Sequence, residues 1–221
     1  GQKKSAPLLG MLGGLVSSTA TTLVYARHTK DNEGLAQLAV VVILLANLMV
    51  MVRLAVLGAA VAPAILPGLL PVLGAGLLFG LAWTAYWWRR LSAQSEPLML
   101  PITNPTELRT PLSFGALYAV VLFLSAWLSD IFGSGGLYTV AVLSGLTDVD
   151  AIALSSLRLF DLGKLTSAQA VISITLAMLA NIGFKLGLVL FIGGATLARR
   201  CAPGLAAVAV GALIALAATG S

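Results

Sequence analysis

Five hydroxyl side chains fall within six residues of this chain: Ser17, Ser18, Thr19, Thr21 and Thr22, just after Gly13-Gly14. A second polar group, Thr147, Asp148 and Asp150, stands just after Gly145. Oxygen atoms of these kinds are the ligands that hard cations such as Mg²⁺ and Na⁺ take. Asn47 and Asn181 add two carboxamide oxygens, which would complete an all-oxygen shell. Asp148 and Asp150 are therefore the candidate metal ligands or proton carriers. Two residues apart on a regular helix, they diverge by roughly 200° and meet on one ligand only where the backbone is not helical. Arg53 and Lys185 follow the two asparagines and are candidate charge partners. Arg53 is placed to snorkel toward a membrane surface. Lys185, flanked by Gly183 and Gly187, is placed to neutralise Asp148 or Asp150.

Strongly apolar elements must position these residues. Of 221 residues, 59% are hydrophobic and 10% charged, and the mean hydropathy is +1.00. A soluble domain of this length needs far more polar surface. The apolar runs do not alternate and last about 20 residues, which points to membrane-spanning helices over barrel strands. Seven segments emerge: about Pro7 to Ala26, Leu35 to Leu57, Leu66 to Trp88, Pro111 to Ile131, Leu137 to Leu157, Ala168 to Gly194 and Pro203 to Ala218. The third closes on Trp83, Tyr86, Trp87 and Trp88, an interfacial aromatic belt. The fold class expected is thus an all-α integral membrane protein of about seven helices.

Two three-helix units repeat within that chain. Gly14-Leu15 through Leu23 aligns with Gly145-Leu146 through Leu154 at an offset of 131 residues, which also superposes Arg27 on Arg158. A further shift of three brings Leu45-Ala46-Asn47 onto Leu179-Ala180-Asn181, and two more bring Pro67-Gly68-Leu69 onto Pro203-Gly204-Leu205. Residues 1–90 form the first repeat, 91–110 a proline-bearing polar linker, 111–136 an extra helix and turn, and 137–221 the second repeat. If the extra helix spans fully, the halves run parallel; if not, they are inverted. Both arrangements occur among transporters.

The polar groups sit at the same depth in each repeat. Glycine followed by Thr147-x-x-Asp150 reads as a helix start resembling a capping box. A helix start at mid-membrane means a broken helix, with amides and the positive dipole end turned inward. Two such breaks, one per half, point to a substrate site at the repeat interface. The bland alternative is that the hydroxyls bond their own helix carbonyls or glue neighbouring helices. Gly76-x-x-x-Gly80 and Gly183-x-x-x-Gly187 read as close helix packing, and secondarily as homodimer faces.

Other chemistries fare poorly. One histidine and one cysteine cannot form a His/Cys metal cluster, and no H-E-x-x-H is present. His28 falls in a loop, out of reach of a membrane serine. An intramembrane aspartyl protease needs Asp on two helices, whereas both mid-membrane Asp residues share one segment. No enzyme and no cofactor beyond a bound Mg²⁺ or Na⁺ is expected. The net charge of +5 is scattered between apolar segments, so the partner is the lipid bilayer and not nucleic acid. With the N-terminus outside, Arg27, Lys30, Arg89, Arg90, Arg109, Arg158 and Lys164 fall in the cytoplasm. Lys3, Lys4, Arg199 and Arg200 fall outside, and the C-terminus lies inside if segment four spans. No signal-peptide cleavage site follows the first apolar stretch.

The runs Gly13 to Thr22 and Gly145 to Ile152 resemble the membrane domain found C-terminal in bacterial MgtC/SapB-type inner-membrane proteins, the domain of unknown function numbered 4010. The resemblance covers nearly the whole chain. It implies a multi-pass protein of the bacterial inner membrane and a link to magnesium or other ion homeostasis. The MgtC-like portion is missing, as is a preceding helix, so a fragment or a shorter relative is expected.

The function expected is a small ion transporter or channel, for Mg²⁺ or another divalent cation, or coupled to protons or Na⁺. One alternative is an anion or small-solute transporter that uses broken-helix amides with Arg53 or Lys185. The other is a non-transporting membrane regulator or partner, whose repeat is only packing.

Overall fold

The computed structural model describes residues 2–91, 123–124, 126–128, 130–131 and 133–219. The polar linker beyond Leu91 and most of segment four lie outside the described residues. Among the described residues the elements are all helical: α1 (Gln2–Asp31), α2 (Ala36–Val61), α3 (Leu66–Arg90), α4 (Ser134–Thr147), α5 (Val149–Asp161) and α6 (Ser167–Thr219). Short 3₁₀ turns at Glu33–Leu35 and Pro63–Ile65 join α1 to α2 and α2 to α3. Among the described residues, four helices are long and apolar enough to cross a membrane: Ser5–Lys30, Ala36–Val61, Pro63–Arg90 and Ser167–Thr219.

Two of the expected segments, one and five, are interrupted, and two, six and seven, are joined. Segment five is not one helix: it divides into α4 and α5, of 14 and 13 residues. At 1.5 Å per residue neither reaches across a bilayer core of about 30 Å alone. Segments six and seven, expected as two helices with an Arg199-Arg200 loop, meet at Gly194 within α6, and the helix after it runs through Arg199 and Arg200. The 53 residues of α6 are bent at Gly194, which has φ 84° and ψ 170°. That left-handed backbone is open to glycine and strained for other residues, so the chain turns there without a loop. The break expected in segment one falls in α1, where Ser17 has φ −165° and ψ 110° inside the helix.

The chain divides into two compact units. The first holds residues 2–53, 73–91 and 184–214. In it, a Cβ on Gly76 would meet Met51 and Val208, one on Gly80 would meet Leu48 and Val208, and one on Gly211 would meet Ala75 and Phe79. Gly76 and Gly80 are thus consumed by internal packing, and α3 runs antiparallel to the last part of α6. Residues 185–193 of α6 run in the same direction as 18–26 of α1. Lys185 meets Ser18, and eight residues further along both helices a Cβ on Gly193 would lie 3.3 Å from Ala26 Cβ.

The aromatic belt is built at this unit's end. Trp83 stacks on Tyr86, Tyr86 meets Trp87 edge-on, and the Arg90 guanidinium lies 4.5 Å over Tyr86. Trp83 Nε1 donates to the Arg200 carbonyl at 3.2 Å, and the Arg200 guanidinium lies 5.6 Å from the Trp87 ring. The charge count set Arg89-Arg90 and Arg199-Arg200 on opposite membrane faces; the structure brings them to one end. The physical reason is the direction of α6, which charge counting along the chain does not reveal.

The second unit holds residues 54–72, the described part of 123–183, and 215–219. Its core joins α5 to the first part of α6, where Ser156 and Ser173 hydroxyls lie 3.0 Å apart and fully buried.

Candidate functional site

Each unit contains one helix interrupted by a single residue in extended conformation. A break of that kind leaves backbone N–H groups on one side and carbonyls on the other without their helical partners. Side chains take up both ends, differently in the two units.

At the first break, Ser17 is the interrupting residue. Its Oγ accepts the Ala20 amide at 3.2 Å, as an N-cap does. Thr21 and Thr22 donate their hydroxyls to the carbonyls of Ser17 and Ser18, each at 2.8 Å. Thr19 is half-buried. Ser18 Oγ accepts from the Lys185 ammonium at 2.8 Å, and Lys185 is only 1% exposed. On the carbonyl side, Arg53 reaches the Leu15 oxygen at 3.4 Å.

At the second break, Asp148 is the interrupting residue, with φ −151° and ψ 131°. It caps α5: one carboxylate oxygen accepts the Asp150 amide at 3.2 Å, the other the Ala151 amide at 3.4 Å. Thr147, expected to open the helix, instead ends α4 and donates to the Ser144 carbonyl at 3.0 Å. The cap thus falls one residue later than the sequence pattern placed it. A carboxylate reaches two amides of the first turn and complements the helix dipole, which a hydroxyl does less well. Asp150 stands half-buried in that first turn. On the carbonyl side, Asn181 Nδ2 donates to the Gly145 oxygen at 2.8 Å.

Close backbone crossings hold both breaks. A Cβ on Gly14 would sit 2.7 Å from Ala46 Cα, and one on Gly145 would sit 2.6 Å from Ala177 Cα. Both glycines and both alanines are 131 residues apart. Residues 10–19 and 141–150 also share the same succession of buried and exposed positions, residue for residue. At that offset Asn47 and Asn181 do not correspond. Asn47 donates to the Ile43 carbonyl of its own helix at 2.8 Å, whereas Asn181 reaches across to a break. The candidates thus fall into two kinds. Ser17, Ser18, Lys185, Arg53, Asp148 and Asn181 act directly on a break. Thr21, Thr22, Asn47 and Thr147 serve their own helices. Among the described residues no three His, Cys, Asp or Glu side chains group as metal ligands.

Sequence reasoning missed Tyr25. It is 1% exposed, and its hydroxyl finds no hydrogen-bond partner. The signal was available: Ser18, Thr22, Tyr25 and Thr29 follow one another at helical spacing. Cys201, at the basic turn of α6, is fully buried.

Apolar helices of spanning length, with capped breaks held by glycine crossings, define a helical protein of membrane type. Within that class, the chain belongs to the family described as Domain of unknown function (DUF4010), whose model matches residues 1–193. An uncharacterized protein of Aquifex aeolicus (strain VF5) is 28% identical over 187 residues, which cover 84% of this chain and 81% of that protein. No solved structure matches the chain.

Proposed function

We propose that this chain is an ion transporter of the bacterial inner membrane, with a cation bound at the Asp148–Asp150 break. The observation that carries this is the extended backbone of Asp148 inside an apolar, interrupted span, with Asp150 half-buried beside it. Carboxylates at this depth cost about 2.5–3.5 kcal/mol each on insertion scales and are retained where they meet a cavity, a partner or an ion. Magnesium would keep several waters at such a site, and a proton or Na⁺ would need fewer ligands.

The finer architecture follows from the same contacts. Counting α4 and α5 as one broken span, the two halves are repeats of one plan. The common 131-residue offset supports the repeat. Within the first unit, residues 185–193 of α6 run with α1, while α2 turns back from α1 through a short 3₁₀ link. Arg27, Lys30, Arg89, Arg90, Arg199 and Arg200 then share one face, the cytoplasmic one by the positive-inside rule. The N-terminus stays outside. A homodimer, if formed, uses Gly183 and Gly187, which have open space among the described residues.

A second reading has its own support. The Lys185 ammonium at the start of the second half of α1 gives an electropositive site suited to an anion.

Flux in proteoliposomes decides between them. Asp148→Asn keeps the cap and removes the charge; Asp150→Asn removes only charge. Cation flux is expected to fall at least tenfold in each. Unchanged flux in both would remove the cation site, and loss of anion flux in Lys185→Gln alone would favour the second reading. A protein that moves no ion in any variant or in the wild type is a regulator or partner.

A further inference from the structure

Ser18, Thr22, Tyr25 and Thr29 occupy positions i, i+4, i+7 and i+11, which fall within an arc of about 60° on one helix face. All four are buried, at 5%, 0%, 1% and 6% exposure. This face of a spanning helix is turned into the protein, where apolar packing is the ordinary solution. Instead it carries an unbroken polar line about 17 Å long, from the mid-span break to the Arg27–Lys30 end.

The hydroxyls on the line are committed in one direction only. Thr22 and Thr29 give their hydrogens to the Ser18 and Tyr25 carbonyls, and their oxygen lone pairs stay available. Ser18 Oγ accepts from Lys185. Tyr25 Oη has neither donor nor acceptor. Side chains on a helix lean toward its N-terminus, so this phenol lies back over the turn toward Thr22. Neighbours three or four apart on a helix are about 5–6 Å from each other, a gap that one water bridges with two ordinary hydrogen bonds.

The second unit supplies an internal control. The residues 131 further on are Val149, Ala153, Ser156 and Phe160. Three are apolar, and the one hydroxyl, Ser156, is already bonded to Ser173 at 3.0 Å. The position that holds the orphan phenol in one unit is satisfied in the other.

We propose that the inner face of α1 from Thr29 to Ser18 is a water file, open to the Arg27–Lys30 face of the membrane and ending at the Lys185 ammonium. Each water sits between successive hydroxyls, and Tyr25 is its midpoint. The inference rests on the transporter reading for its purpose, but water in the file is measurable whether or not flux is found.

The test is thiol accessibility in a Cys201→Ala background. Thiols react with a water-soluble methanethiosulfonate only as thiolates, which form where water reaches them. Single variants Thr22→Cys, Tyr25→Cys and Thr29→Cys are expected to label at least tenfold faster than Ala153→Cys, the buried equivalent of Thr22 in the other unit. Rates should rank Thr29 above Tyr25 above Thr22, and labelling should come from the Arg27–Lys30 side. Rates at Thr22 and Tyr25 equal to that at Ala153 would overturn the file. Tyr25→Phe gives an independent readout: losing a water-bonded hydroxyl should lower the melting temperature by about 2–4 °C. A melting temperature at or above that of the wild type means a dry hydroxyl and overturns the proposal too.

Discussion

The two breaks share a backbone plan and differ in charge. Each interrupts a helix with one extended residue, each caps the next half-helix with that residue's own side chain, and each crosses a neighbour where only glycine fits. At the first, the cap is a neutral hydroxyl and the groups brought in from other helices are cations, Lys185 and Arg53. At the second, the cap is a carboxylate and the group brought in is a neutral amide, Asn181. The lesson is that backbone geometry and ion chemistry separate cleanly. The glycine and the cap set where a helix breaks, and the remaining polar residues decide what that break attracts.

The shared plan is the part most severely tested by substitution. Gly14→Ala and Gly145→Ala each drive a methyl into the facing alanine's backbone, so both should lose about 3 kcal/mol or more. The expected readout is loss of the monodisperse peak on size-exclusion chromatography in detergent. Gly183→Ala and Gly187→Ala, with open space at the Cβ position, should instead gain about 0.5–1 kcal/mol from reduced backbone entropy. A folded Gly145→Ala protein would break the claim that the crossings hold the breaks.

The caps come next in size. Asp148→Ala should cost about 1 kcal/mol of stability, and Ser17→Ala a similar amount, because each removes the acceptor for first-turn amides. Asp148→Asn should retain most of that stability while losing the charge. Thermal unfolding of the three variants side by side checks the separation of cap from charge. A large loss in Asp148→Asn would mean that the carboxylate's charge, and not its geometry, holds α5.

Much of this was legible in the sequence, and the failures have physical causes. Hydropathy alone gave helices of spanning length, since nothing but apolar surface is tolerated there. The two breaks were legible because glycine followed by Ser, Thr or Asp is the chemistry of a helix start. The end of segment six at Gly194 coincides with the bend in α6. The choice of Asp148 over Thr147 as cap was not, because both residue types cap helices and only the backbone angle separates them. The continuity of α6 through Arg199 and Arg200 was hidden because two adjacent arginines read as a loop when they sit at a membrane surface.

The two asparagines make the finest distinction between the halves, and the smallest expected effect. Both looked alike in sequence, one per repeat, and both are buried. Asn47 donates to Ile43, a carbonyl one turn back in its own regular helix, which that helix already supplies with a backbone partner. Asn181 donates to Gly145, a carbonyl at the end of a half-helix, where no ladder continues. Asn47→Leu should therefore change stability by less than about 0.5 kcal/mol. Asn181→Leu should cost about 1–2 kcal/mol by leaving a buried carbonyl unmet. Chemical denaturation of both variants in the same detergent measures the difference. Equal costs would mean that both asparagines only glue helices, and would return Asn181 from the break to ordinary packing.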